Sequence, residues 1–187
     1  MKIAVIGSLG AGKTYFCNHL HNHYLSKGEN ATVVDELSRQ CPLPVNEKSS
    51  KEAQAWILFN QIVREIQAEK DHKIVICDRS ILDNYAYFVR AHKEKRDLDA
   101  IVKYWMPSYD FVFKIRASPQ NLIADGFRST SVRWQKEMDA RIDRVLKDFN
   151  VKYSELPSGA WKKAIGIVEK RSPKKEKQTK LVAKQGD

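Results

Sequence analysis

The tightest constraint on the fold is an eight-residue run near the N-terminus, Gly7-Ser8-Leu9-Gly10-Ala11-Gly12-Lys13-Thr14. Its glycines allow a tight turn in which several backbone N–H groups point inward and form an anion-binding hollow. Upstream, Lys2-Ile-Ala-Val-Ile6 reads as a short buried strand. Downstream, Thr14 to Ser26 reads as a helix, with Phe16, Leu20 and Tyr24 at four-residue spacing. A strand entering a helix through such a loop brings the positive helix N-terminus onto the anion. In that context the run is a site for nucleotide phosphates. Lys13 reaches the β- and γ-phosphates and Thr14 presents its hydroxyl to Mg2+. Gly7, Ser8, Gly10, Ala11, Gly12, Lys13, Thr14 and Tyr15 are the candidate nucleotide contacts.

The rest of the chain alternates strand and helix signals. Gly28 is a plausible stop for the first helix. Ala31 to Asp35 reads as a second strand, and residues 40–50, with two prolines, read as loop. A long helix follows from Ser50 to Lys70, capped by Ser49 or Ser50. Ile74 to Cys77 is a third strand, Tyr85 to Tyr104 reads as helical, and Asp110 to Ile115 is a fourth strand. Ser118-Pro119 starts a helix, and the charge-dense stretch 125–148 is helical in its second half. Val151 to Leu156 is a weak last strand, and Trp161 to Val168 a short helix. This alternation predicts an α/β three-layer sandwich, a parallel sheet of about five strands with helices on both faces. Residues 1–170 form the domain, with a short helical lid at about 125–141, and 171–187 form a basic tail expected to be flexible.

The net charge of +10 is uneven. Residues 111–170 hold 12 basic and 7 acidic residues, and 171–187 hold six basic and two acidic. Such an excess suits a polyphosphate ligand or a nucleic-acid backbone. The three cysteines give neither a disulfide framework nor a zinc pattern and read as reduced thiols. No segment is long and apolar enough to span a bilayer, and none reads as a signal peptide, so the expected location is cytoplasmic, with no membrane partner.

Ligands of parallel sheets bind at the carboxyl ends of the strands. That rule gathers four groups of residues around the loop. Asp78, after the third strand, is a candidate Mg2+ ligand with Thr14, and Arg79 a clamp for an acceptor oxygen. A helix cap by Ser80 or Asp78 is the competing structural role. Asp83 reads as a first-turn helix acid. Asp35 and Glu36 end the second strand, and one of them would deprotonate an acceptor hydroxyl. The sequence leaves the choice open, with a lean to Glu36, and Arg39 would hold the acceptor. Arg128 and Arg133 lie among glycine and small hydroxylic residues, as in a mobile lid that brings cations to a transferring phosphoryl group. On the long helix, Trp56, Phe59, Asn60 and Val63 share a face. Trp56, Asn60 and Gln61 are candidate base-reading residues, although such a stripe is more often core.

Taken together, the loop at 7–14, Glu36-Leu-Ser-Arg39, Gln54 with Gln61, Asp78-Arg79-Ser80, and 125–133 resemble the small P-loop nucleoside and nucleotide kinases. The branch is that of deoxynucleoside kinases, thymidylate kinases and ribosylnicotinamide-kinase-like ATPases. Ser158-Gly159 followed by Trp161-Lys162-Lys163 resembles the final loop that packs on adenine. The resemblance implies ATP, Mg2+ and phosphoryl transfer to a nucleoside- or nucleotide-type acceptor. Two alternatives stay open: a kinase acting on nucleic acid through the basic C-terminal half, at a 5′-hydroxyl or a hydroxymethylated base, and a regulatory ATPase without a small-molecule acceptor. A homodimer stays open as well.

Overall fold

In a computed structural model, residues 1–117 and 129–171 are described. Five parallel strands form one sheet: β1 (Lys2–Ile6), β2 (Ala31–Val34), β3 (Ile74–Asp78), β4 (Phe111–Ile115) and β5 (Ser154–Leu156), in the order β2-β3-β1-β4-β5. β1 sits at the centre, and each neighbour is reached by a helical crossover, as parallel pairing demands. The phosphate loop therefore leaves the middle of the sheet.

Alternation along the strands sends side chains into two cores. One face carries Ala4, Ile6, Val75, Cys77 and Val112 against helices α2 (Lys51–Asp71), α3 (Ile81–Ala91), α4 (Asp99–Trp105) and α5 (Val132–Asp148). The other carries Ile3, Val5, Ile76, Phe113 and Ile115 against α1 (Lys13–Ser26) and α6 (Trp161–Arg171). Two lysines break the apolar pattern on the first face. Lys2 is buried against Glu65, 3.1 Å away, and Glu69, 3.0 Å away. Lys114 is buried against Asp139 and Asp143, at 3.3 and 2.5 Å. Carboxylates from the covering helices thus neutralise cations that the strands carry inward.

Several expectations are refined. α1 ends at Ser26, with Gly28 at φ +71° just beyond it. Ser50 caps α2, its hydroxyl accepting from Ala53 N at 3.2 Å. β2 stops at Val34, before Asp35. The helix read from Tyr85 to Tyr104 is two helices, α3 and α4, separated where Lys93 and Glu94 take positive φ of 53° and 65°. α5 begins at Val132 and packs Trp134, Met138 and Ile142 into the core. The helix expected from Ser118, and Asp125 and Arg128, lie outside the described residues, as does the tail from residue 172.

The α2 face is where hydropathy misleads. Phe59 and Val63 are 42% and 48% exposed, while the buried stripe is Ala53, Gln54, Ile57, Leu58, Gln61 and Glu65. Three of those six are polar.

Candidate active site

The loop from β1 into α1 holds its shape through glycine. Gly7, Gly10 and Gly12 have φ of +144°, +68° and +89°. A β-carbon at Gly7 would lie 2.7 Å from the Ile115 carbonyl oxygen, and one at Gly12 would lie 2.6 Å from Cβ of Ser158. The loop is therefore walled by β4 and by the turn between β5 and α6. From the other side, Gln135 of α5 donates Nε2 to the Leu9 carbonyl at 2.8 Å.

Lys13 folds back over the loop, its Nζ donating to the Ser8 carbonyl at 2.9 Å. Burial, and then Arg79, lower its pKa to about 8, against the opposing pull of Glu36, Asp78 and Asp83. Thr14 Oγ1 donates to Asp78 Oδ2 at 2.5 Å. Burial raises the Asp78 carboxyl, offset in part by Lys13 and by the Thr14 hydrogen bond. Ser8 Oγ and Asp78 Oδ1 are buried with no hydrogen-bond partner among the described residues. An acidic oxygen left unpaired beside the phosphate loop fits a divalent cation held jointly by phosphate and water, the way Mg2+ is usually bound. No group of three or more acidic, His or Cys side chains forms a separate metal site among the described residues.

Beside the loop, Arg79 organises the end of β3. Its backbone takes φ +84°, a left-handed state that costs an L-residue of this kind about 1–2 kcal/mol. The side chain is buried, with Nε on Glu36 Oε1 at 2.7 Å and Nη1 on Asp83 Oδ2 at 3.4 Å. Burial would lower this guanidinium, but Glu36 and Tyr87 hold it well above its usual range. Glu36 also accepts from Ser38 Oγ at 2.8 Å. Ser80 caps α3, and Asp83 Oδ1 accepts from Ser80 N at 2.7 Å, closing a capping box. Asp83 is thus a structural acid that also anchors Arg79.

Glu36, Ser38 and Arg79 line a cleft with Gln54, Ile57, Asn84 and Tyr87. The Tyr87 hydroxyl is buried without a hydrogen-bond partner among the described residues, and Arg79 lies 5.2 Å from its ring centroid. Asp35 instead lines a separate groove with Val33, Leu37, Arg64 and His72. Glu36, not Asp35, therefore shares the loop's surroundings. Trp56, Asn60, Gln61 and Arg39 are not among the residues lining the cleft. Asn60 donates to the Trp56 carbonyl at 2.8 Å, Gln61 is fully enclosed, and Arg39 is exposed on the turn Leu37–Gln40. Arg133 is exposed in the first turn of α5.

Near the other end of the loop, Trp161 stacks on His19 at 4.8 Å and 5°, and His19 meets Tyr15 edge-on at 4.3 Å. Asn84, Tyr87, Gln135 and His19 were not singled out by the sequence. Asn84 lies one turn past the Ser80 cap and Tyr87 one turn past Asp83 on the same helix, and that spacing is the signal that could have found them.

Sheet order, loop and cleft define a P-loop kinase-like domain. The family model described as AAA domain matches residues 2–164, and the chain belongs to that family. No curated protein matches it. Among solved structures it is similar to deoxyadenosine kinase from M. mycoides with bound dATP, at 15% identity and a TM-score of 0.64, over 90% of this chain and 99% of that one. The same kinase with dCMP and a flexible dCDP matches at 16% identity and a TM-score of 0.60, over 91% and 97% of the two chains. With bound dCTP it matches at 14% identity and 0.57, over 91% and 99%. At such identities the likeness is one of fold. No helix among the described residues is long and apolar enough to cross a membrane.

Proposed function

We propose that the chain is an ATP-dependent kinase that phosphorylates a hydroxyl of a nucleoside-type acceptor. The observation carrying this reading is the cleft beside the loop, where Glu36 is held by Arg79 within electrostatic reach of Lys13 and Asp78. A nucleotide-binding module without an acceptor has no need of an oriented carboxylate there.

In this reading the ATP phosphates lie on the loop N–H groups and on Lys13, which neutralises charge on the transferring group. Thr14 and Asp78 would hold Mg2+, which supplies charge neutralisation between the phosphates. The acceptor lies in the cleft, with Tyr87 and Gln54 among its neighbours. Glu36 takes the proton of the acceptor hydroxyl, the freed oxygen forms a bond to the γ-phosphorus, the bond from that phosphorus to the bridging oxygen breaks, and ADP leaves. Arg79 holds Glu36 and meets the acceptor side. Tyr15 and Trp161 flank the purine end of the loop, and Arg133 and Arg128 are the candidate cations for the γ-phosphate.

The test is transfer of label from γ-labelled ATP with Mg2+ to a panel of nucleosides, nucleoside monophosphates and 5′-hydroxyl DNA. Label on a nucleoside, abolished by Glu36→Gln, is the expected result. Label on DNA alone, or only on inorganic phosphate whatever is added, would overturn the reading.

A further inference from the structure

Behind the cleft lies a polar cluster that the phosphate chemistry does not use. Glu65 of α2 is fully enclosed, yet its carboxylate has four donors around it. They are Lys2 Nζ at 3.1 Å, Trp105 Nε1 at 2.8 Å, Tyr109 Oη at 2.8 Å and Gln61 Nε2 at 2.9 Å. Tyr109 Oη in turn accepts from the Ile81 N–H at 3.1 Å. A buried carboxylate satisfied from four sides is fixed in orientation, and it fixes the groups it touches.

One turn earlier on α2, Gln61 is equally enclosed. Its Nε2 is shared between Glu65 and the carbonyl of Arg79, 3.3 Å away, and its Oε1 accepts from Asn84 Nδ2 at 3.4 Å. Arg79 and Asn84 both line the cleft. A main chain at φ +84° persists only where its surroundings hold both of its ends. The Arg79 N–H is held by the Val5 carbonyl at 3.0 Å, and its carbonyl is held by Gln61.

We propose that Gln61, clamped by Glu65, is a positioning residue for this cleft. It fixes the left-handed turn of the Arg79 main chain, and with it the guanidinium on Glu36, and it orients the Asn84 carboxamide. An enclosed amide is needed here because the α2 helix passes under the cleft with no backbone donor to spare for the Arg79 carbonyl. The consequence for turnover rests on the kinase reading above. The consequence for Arg79 geometry does not.

The test compares the protein with Gln61→Met, which keeps the side-chain length and removes the donor, and with Gln61→Asn, which keeps the amide and withdraws it. The Arg79 Nε–H resonance is followed by 15N NMR, since its bond to Glu36 slows exchange with water. Faster exchange and a shifted resonance are expected in both variants, with nucleotide binding retained as the sign of an intact fold. In turnover, acceptor KM should rise about tenfold, on the scale by which sub-ångström misplacement slows enzymes, while ATP KM stays within about twofold. An unchanged Arg79 resonance would overturn the proposal, as would equal changes in both KM values. Should Gln61→Met fail to fold, Gln61→Asn carries the same comparison. Should the unsubstituted protein phosphorylate nothing in the panel, the kinase reading falls while the resonance still decides this one.

Discussion

Lys13 is a residue of the phosphate loop whose chemistry its surroundings alter. Its pKa in the folded chain is lowered from 10.5 to about 8, first by burial. Between those two values the unfolded chain binds the proton more tightly, so the stability of the nucleotide-free protein should rise with pH from about 8 to 10.5. A triphosphate beside the ammonium favours the charged form and raises the pKa again. Nucleotide binding near pH 9 should therefore take up protons. Calorimetry in buffers of different ionisation enthalpy would measure this, and the uptake should vanish in Lys13→Met. Uptake persisting in that variant would assign it to another group. The neighbouring roles were less legible. Spacing in the sequence could not choose between Asp35 and Glu36, because β2 ends before either, and only the turn after Val34 turns Glu36 toward Arg79.

At the scale of elements, the loop and the alternation of strands and helices were legible because each rests on local rules: glycine where φ is positive, and alternating strand and helix periods. Two features were hidden. The break between α3 and α4 falls in Lys93-Glu94-Lys95-Arg96, residues of good helix propensity, and two of them adopt positive φ. The inner face of α2 was misassigned because Gln54, Gln61 and Glu65 occupy it while Phe59 and Val63 face outward. Periodicity of apolar residues cannot see a buried stripe whose polar members find hydrogen-bond partners inside the protein. Breaking that satisfaction should be costly. Glu65→Leu leaves Trp105 and Tyr109 without their acceptor, Gln61 with only the Arg79 carbonyl, and Lys2 with only Glu69, so a loss of about 3–5 kcal/mol in denaturant unfolding is expected. In a double-mutant cycle with Lys2→Met, the two changes should fail to add by about 0.5–3 kcal/mol. Gly12→Ala tests another junction. The added methyl meets Cβ of Ser158 at 2.6 Å and also strains a backbone at φ +89°. Ser158→Gly on the same chain removes the collision and leaves the strain. It should recover part of the lost stability, with about 1–2 kcal/mol remaining as the cost of the left-handed backbone. Full recovery would mean that the collision was the whole effect.

For the molecule as a whole, the loop is a meeting point. β1 delivers it, β4 and the turn after β5 wall it, α5 ties it through Gln135, and β3 sets Asp78 against Thr14. A ligand that occupies it touches segments from both cores, so its binding energy should appear in global unfolding and not in a local loop. At a concentration about 100 times its Kd, a nucleotide stabilises a native state by about 2.7 kcal/mol. For a chain of this size that corresponds to a rise in Tm of roughly 5–10 °C. The unpaired Asp78 Oδ1 adds a specific expectation. Part of the rise with ATP should require Mg2+ and disappear on chelation, and Asp78→Asn should abolish that Mg2+-dependent part while leaving the part due to phosphate contacts on the loop. If Mg2+ adds the same increment to Asp78→Asn as to the unsubstituted chain, the cation is held elsewhere and Asp78 serves only to anchor Thr14. If the whole rise is lost with Asp78→Asn, the carboxylate sets the loop itself, and the Thr14–Asp78 hydrogen bond is the contact on which the phosphate site depends.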